Sequence, residues 1–306
     1  MDLRQLNALV AVADHGSFSA AADALHTVQS NVSTHVARLE RELDTLLVDR
    51  NGGTLTEEGV AVVERARRIR GELEALVADV AALHDEVVGT VRIGMIGTTA
   101  RWLAPRLIES LAEQHPKVRL IIIDATSTSL EPQLASGRLD LAIVNLPVPG
   151  SEFVTYPLFE EDLVLIVPAD HPLAPRESVD VRDLDGLALL MPAPGTSLRD
   201  ELDQSIATAG ITTTARAELD GVTLMASLAF DGHGPAVLPA TAVPSRFGGE
   251  WTRLAIRDLP RRGVGVAQRR KGLPAAPVRA VLVVLDEVVA AGMAERHDIH
   301  VPSASS

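Results

Sequence analysis

Apolar positions in the first 88 residues recur at helical spacing. Leu3, Leu6, Leu9, Val10 and Ala13 line one face of an opening helix. His15-Gly16 breaks that helix, and Ser17 is placed to cap a second, FSAAADAL. Thr27 is placed to cap a third, with Val32, Val36, Leu39 and Leu43 on its inner face. The small run Ala20-Ala21-Ala22 lets helices approach closely, and the tight join across Leu25-His26-Thr27 suits a helix-turn-helix. Asn51-Gly52-Gly53 is a turn signal, and Thr54-Leu55-Thr56 after it reads as a short wing. A long helix is expected from about Glu57 to Val87, because Val62, Ala66, Ile69, Leu73, Leu76, Val80, Leu83 and Val87 alternate by four and three. Such a seam predicts a homodimer, with Ile69, Leu73, Leu76, Val80 and Leu83 at its interface; the plainer alternative is an amphipathic helix packed on its own domain.

From Gly89 the pattern changes to short apolar runs alternating with helical ones. Strands are expected at 91–96, 118–123, 139–144, 163–167, 187–191, 215–219, 236–238 and 264–267, with helices at 100–113, 129–136, 197–209, 221–230 and 277–291. Repeated strand–helix units predict mostly parallel sheets covered on both faces, and two rounds predict two α/β lobes. The ligand crevice of such sheets lies beyond the carboxyl ends of the strands, here between the lobes. The tail from Val301 to Ser306 reads as disordered.

Composition narrows the chemistry. The chain has 306 residues, 46% hydrophobic and 23% charged, which suits a folded protein of two or three domains. Aromatics are only 3%, so the cores are built from aliphatic side chains. There is no cysteine, which excludes disulfides, thiolate metal sites and thiol nucleophiles. With no secretory signal and no membrane-spanning apolar run, a cytoplasmic protein without a membrane partner is expected. The net charge of −13 argues against nucleic acid only weakly, because local charge decides, and acids and bases balance within residues 26–70.

The segment SFSAAADALHTVQSNVSTHVARLERELD strongly resembles the helix-turn-helix of LysR-type transcriptional regulators. The resemblance rests on Ser17-Phe18, Ala21-Ala22, Leu25, Gln29, Ser33, Leu39-Glu40 and Leu43, then Arg50, Leu55-Thr56 and Gly59. VRIGMIGTTARWLAPRL, HPKVRL, SGRLDLAI, LVPADHPL and GHGPAVLP resemble successive landmarks of that family's effector domain. Asp44 stands where the family usually has Gly, and Val48 where it has Phe. The resemblance implies an all-α winged helix-turn-helix at residues 1–58 and a linker and dimerisation helix at 59–88. It further implies a two-lobed, periplasmic-binding-protein-like α/β effector domain at 89–301. Lobe I would take about 89–162 and 265–301, and lobe II about 163–264.

In that frame the third helix would enter the major groove. Gln29 would read a base, with Ser30, Ser33 and Thr34 beside it, and Arg38, Arg41 and Arg50 would hold phosphates. Ser17 joins this set, and Thr27 sits where a helix start favours a phosphate. Alone, Gln29 and Ser33 would read as a solvated helix face. Arg65, Arg67, Arg68 and Arg70 read first as solubility and i,i+4 pairing, and second as added backbone contact.

Thr98 and Thr99, Thr126 and Ser127, Asn145, Thr196 and Ser197, and His233 fall at strand ends or helix starts from both lobes. The resemblance makes them candidate effector contacts for a polar or carboxylate ligand, with helix capping as the plain alternative for each. The implied mechanism is a population shift, in which ligand favours one lobe arrangement. The implied partners are double-stranded promoter DNA, a small-molecule effector, further copies of the chain as dimer or tetramer, and RNA polymerase. No cofactor, metal or catalytic residue is expected. An enzyme would need a motif such as GxSxG, which is absent, and His297 and His300 make only a weak metal-like pair. A binding protein without a DNA role would not need residues 1–88.

Overall fold

The computed structural model describes residues 1–49, 53–84, 86–244, 250–270 and 272–303. The chain forms two compact units, one built on Met1–Val80 and the other on Ala81–Ala135 and Leu139 onward.

The first unit carries α1 (Leu3–His15), α2 (Phe18–Ala24), α3 (Gln29–Leu43) and α4 (Glu57–Ala82). Asp2 and Gln5 cap α1 reciprocally, and Gly16 ends it in the left-handed region. Ser17 caps α2, its Oγ accepting from Ala20 N at 3.2 Å. The cap of α3 differs from expectation. Its N-cap is Val28, with no side-chain hydrogen bond, and Thr27 instead receives a bond from Asn31 Nδ2 at 3.0 Å. Asp44 ends α3 at φ 51°, the left-handed backbone that explains why the resembled family favours Gly there.

Leu6, Leu9, Val10, Ala21, Ala22, Val32, Val36, Leu39, Leu47 and Val48 form the core of this unit with Val63 and Ala66 from α4. The buried Glu40 carboxylate accepts from Leu47 N at 2.9 Å and Val48 N at 3.3 Å, so it fixes the turn from α3 into the wing. Val48 and Leu55 make the wing's antiparallel bridge. Thr56 donates to Leu46 O at 2.8 Å and accepts from Gly59 N at 2.9 Å, which starts α4. A Cβ on Gly59 would overlap Leu47 O and lie 2.9 Å from Leu47 C, so only glycine lets α4 pass this close to the wing strand. α4 ends at Ala82, short of the expected Val87.

The second unit holds two six-stranded sheets. β1 (Gly89–Met95), α5 (Gly97–Gln114), β2 (Val118–Asp124), α6 (Ser127–Ala135), β3 (Leu141–Asn145) and β4 (Phe153–Glu161) build most of lobe I. The chain then crosses at Asp162 into β5 (Leu163–Pro168), β6 (Ser178–Asp180), β7 (Ala188–Pro192), α7 (Ser197–Ala209) and β8 (Thr214–Leu219). α8 (Val222–Phe230), β9 (Ala236–Pro239) and β10 (Trp251–Arg257) complete lobe II. It returns through β11 (Arg262–Arg269), α9 (Ala276–Ala294) and β12 (Ile299–His300). The sheet orders are β12-β4-β11-β3-β1-β2 and β6-β10-β5-β9-β7-β8.

The sheets are mixed rather than mostly parallel. β1 runs parallel to β2 and β3, but β11 is antiparallel to both β3 and β4. In lobe II, β5 is antiparallel to β9 and β10. The reversed strands are β5 in lobe II and β11 and β12 in lobe I, and β5 and β11 are the strands that follow the two crossings. The return strand begins at Arg262, two residues ahead of the expected 264. Ser303, expected in a loose tail, donates from N and Oγ to the Glu160 carboxylate at 2.9 and 3.0 Å. Each lobe has its own aliphatic core, around Ile93, Leu107, Ile143 and Val284 in one and Leu165, Leu189, Met225 and Leu238 in the other.

Candidate functional site

The outer face of α3 is polar because its inner face is spent on Val32, Val36 and Leu39. Gln29, Ser30, Ser33, Thr34, Arg38 and Arg41 are placed on that outer side, all of them exposed. Two of these side chains are already engaged: Thr34 Oγ1 donates to Ser30 O at 2.7 Å, and Arg41 Nε to Ala37 O at 3.2 Å. The start of α3 has no side-chain cap, and Asn31 N donates to Val28 O at 3.0 Å. Asn31 is exposed there too, a contact candidate that the sequence reading leaves out. Ser17 is exposed, with its hydroxyl used in capping α2. Arg50 lies outside the described residues. Arg67 is buried and ion-paired with Asp14, so it serves the fold of this unit, and Arg70 reaches Glu74 at 3.8 Å.

Along α4 the heptad seam divides. Ala66 is buried in the unit's own core and Val62 packs against it. Ile69, Leu73, Leu76 and Val80 are exposed, as is Leu83 just beyond the helix, and Leu83 is 82% accessible. A run of large apolar side chains at a/d spacing left in water is a face that lacks its partner.

In the second unit the two lobes enclose a cleft of about 660 Å³. Lobe I contributes Thr98 from the first turn of α5, Asp124 from the end of β2, Thr126 and Ser127 at the start of α6, and Asn145 from the end of β3. Lobe II contributes Thr196 and Ser197 at the start of α7, and Asp220 and Thr223 around the start of α8. Parallel strands ending together put these helix starts around one space. Thr99 and His233 are not part of the lining. Thr99 is fully buried, because one step along a helix turns a side chain by about 100° away from Thr98. His233 is exposed on the turn after α8.

Several hydroxyls are committed to local structure. Thr196 accepts from Arg199 N at 3.4 Å and donates to Ala193 O at 2.9 Å. Ser127 Oγ accepts from Asn145 N at 3.1 Å, and Thr126 Oγ1 donates to Ser129 Oγ at 3.0 Å. The Asn145 side-chain oxygen is buried without a donor among the described residues.

Arg262 is the one basic side chain lining the cleft among the described residues. It donates to Glu161 Oε1 from Nε at 3.0 Å and from Nη2 at 2.6 Å, and to Thr98 Oγ1 at 3.1 Å. Glu161 Oε2 accepts from Thr241 N at 2.7 Å. Burial pushes the nearby Glu201 carboxyl above its ordinary range, with the Arg262 charge opposing and Glu161 reinforcing the rise. Asp124, Asp220, Thr223, Glu161 and Arg262 all escape the sequence reading. The available signal is their position, at the end of a strand or beside a helix start.

Residues 3–60 match the family described as "Bacterial regulatory helix-turn-helix protein, lysR family", and residues 84–290 match "LysR substrate binding domain". The chain is 32% identical over 297 residues to the DNA-binding transcriptional dual regulator OxyR of Escherichia coli K12, covering 96% of each. It is 34% identical over 276 residues to a probable hydrogen peroxide-inducible genes activator of Mycobacterium avium, covering 88% of this chain and 86% of the relative. A full-length structure of a single-residue OxyR variant from Pseudomonas aeruginosa superimposes with a TM-score of 0.76 at 27% identity, covering 94% of both chains. No helix among the described residues is long and apolar enough to cross a membrane. The chain therefore belongs to the LysR family of bacterial transcriptional regulators, as a DNA-binding regulator whose second unit is an effector-binding domain.

Proposed function

We propose that α3 reads promoter DNA in the major groove, through Gln29 with Ser30, Ser33 and Thr34, while Arg38, Arg41 and the α3 start hold phosphates. Ser17, Thr27 and Arg50 complete the phosphate contacts. Two copies pair along Ile69, Leu73, Leu76, Val80 and Leu83, so the operator has two half-sites. The protein works in the cytoplasm on double-stranded DNA, and RNA polymerase is its downstream partner. It regulates rather than catalyses.

An effector in the interlobe cleft contacts Thr98, Thr126, Ser127, Asn145, Thr196 and Ser197 and favours one lobe arrangement over another. The observation that carries this reading is the cleft itself: polar groups from both lobes converge on one space in a chain that also carries an exposed reading helix. Several relatives bear the name hydrogen peroxide-inducible genes activator. This chain has no cysteine, so neither a disulfide nor a sulfenic acid can form in it. Its signal is a molecule bound reversibly in the cleft, and peroxide leaves its DNA binding unchanged. Footprinting of the DNA upstream of its own gene, with and without pooled metabolites, tests the reading. Protection whose extent changes with metabolites supports it, and absence of any selective protection overturns it.

A further inference from the structure

We propose that the effector carries a protonated amine, held by Asp124 from lobe I and Asp220 from lobe II. This rests on the cleft being the effector site and names the chemistry of its ligand. Two carboxylates line the cleft, one from each lobe, and neither is tied up in an ion pair or a side-chain hydrogen bond among the described residues. The one cation beside them among the described residues cannot serve a ligand anion freely. The charge of Arg262 is matched by the fully buried Glu161, and its Nη2 is also spent on Thr98.

Two of the helix starts around the cleft, those of α5 and α8, have a carboxylate of the chain itself nearby. A Cβ at Gly97, the first residue of α5, would meet Asp124 Oδ1 at 2.9 Å and Thr223 Oγ1 at 2.8 Å. The Asp124 carboxylate therefore lies over the positive end of α5, where an effector anion would have to displace it. Asp220 stands two residues before α8 and lines the cleft there. The buried Asn145 oxygen is an acceptor that lacks a donor. Two carboxylates without a cation partner call for a ligand group that only donates, and an ammonium does that. Because the carboxylates come from different lobes, one cation between them draws the lobes together, which couples binding to closure.

The test uses the full chain and metabolites of the bacterium that carries the gene, separated into cation-exchange-retained, anion-exchange-retained and neutral fractions. Each is scored for a rise in thermal midpoint and for altered retention of the promoter fragment. The cation-exchange fraction is expected to act on the wild type. Asp124→Asn and Asp220→Asn, which keep shape and lose charge, are each expected to require roughly tenfold more of it. Activity in the anionic or neutral fraction, or a response that survives in both variants, overturns the amine assignment and leaves the cleft as the effector site. Failure of every fraction on a wild-type chain that binds its promoter overturns the cleft reading itself.

Discussion

Glu161 and Arg262 form an ion pair at the two points where the chain crosses between the lobes, with 0% and 2% of their side chains accessible. Glu161 ends β4 and Arg262 begins β11, so one charge sits on each connecting strand. Thr241 N on the lobe II side and Thr98 on the lobe I side complete the set. A pair this deep gains its worth from mutual satisfaction, because either charge alone would be stranded. Glu161→Ala should lower stability by about 3–5 kcal/mol in urea unfolding, while Glu161→Leu with Arg262→Met should recover much of that loss. Equal losses in the single and double variants would show that the pair contributes through packing alone.

Glu201 gives the fold a measurable pH dependence. Burial raises its carboxyl pKa above the ordinary 4.5, so the folded state holds the proton to higher pH than the unfolded chain does. Between those two values stability falls as pH rises, and above both the cost of the buried charge is fully present. Glu201→Gln removes the ionisation. Its thermal midpoint should exceed that of the wild type at about pH 7.5 and match it at about pH 4. A gain that is the same at both values would locate the effect in contacts rather than charge.

Gly59→Ala tests the approach of α4 to the wing strand. The added carbon would collide with Leu47 O, a backbone atom with no rotamer to escape through. A loss of about 1–3 kcal/mol is expected, read in the unfolding of the first unit's helical signal. Gly71→Ala on the same helix meets nothing within 4 Å and should be neutral or stabilising.

The exposed half of the α4 seam makes assembly testable. Leu73→Asp with Leu76→Asp places charges where two apolar faces would meet. Sedimentation at micromolar concentration should show dimer for the wild type and monomer for the double variant. A double variant that remains dimeric would move the interface elsewhere.

Much of this architecture is visible in the amino-acid pattern. α1 and α2 announce themselves by Gly16 and Ser17, whose backbone and side-chain chemistry permit little else there. The start of α3 misleads because Thr27 is a better capping residue than Val28, yet its hydroxyl takes a bond from Asn31 instead. β4 and β10 are hidden from a search for apolar runs. In β4 the middle residues Thr155, Tyr156 and Pro157 are exposed, and in β10 Arg253, Ala255 and Arg257 are. The reversed strands β5 and β11 do fall within expected apolar runs, but an apolar run does not reveal its direction, so the sheets look parallel. In the cleft the hydroxyls at helix starts are found by position, but Thr98 and Thr99 are neighbours whose faces only helix geometry separates. Asp124, Asp220 and the Glu161–Arg262 pair depend on strands brought together from distant parts of the chain, which no local pattern encodes.

The central claim is that the first unit recognises DNA sequence through α3. Fluorescence anisotropy with the fragment upstream of the protein's own gene, against a scrambled competitor at low salt, tests it directly. Wild-type protein should prefer the promoter, and Gln29→Ala should lose about 1–3 kcal/mol of that preference while keeping its affinity for the competitor. Equal affinity of the wild type for both fragments, or a Gln29→Ala variant with undiminished preference, would contradict the account.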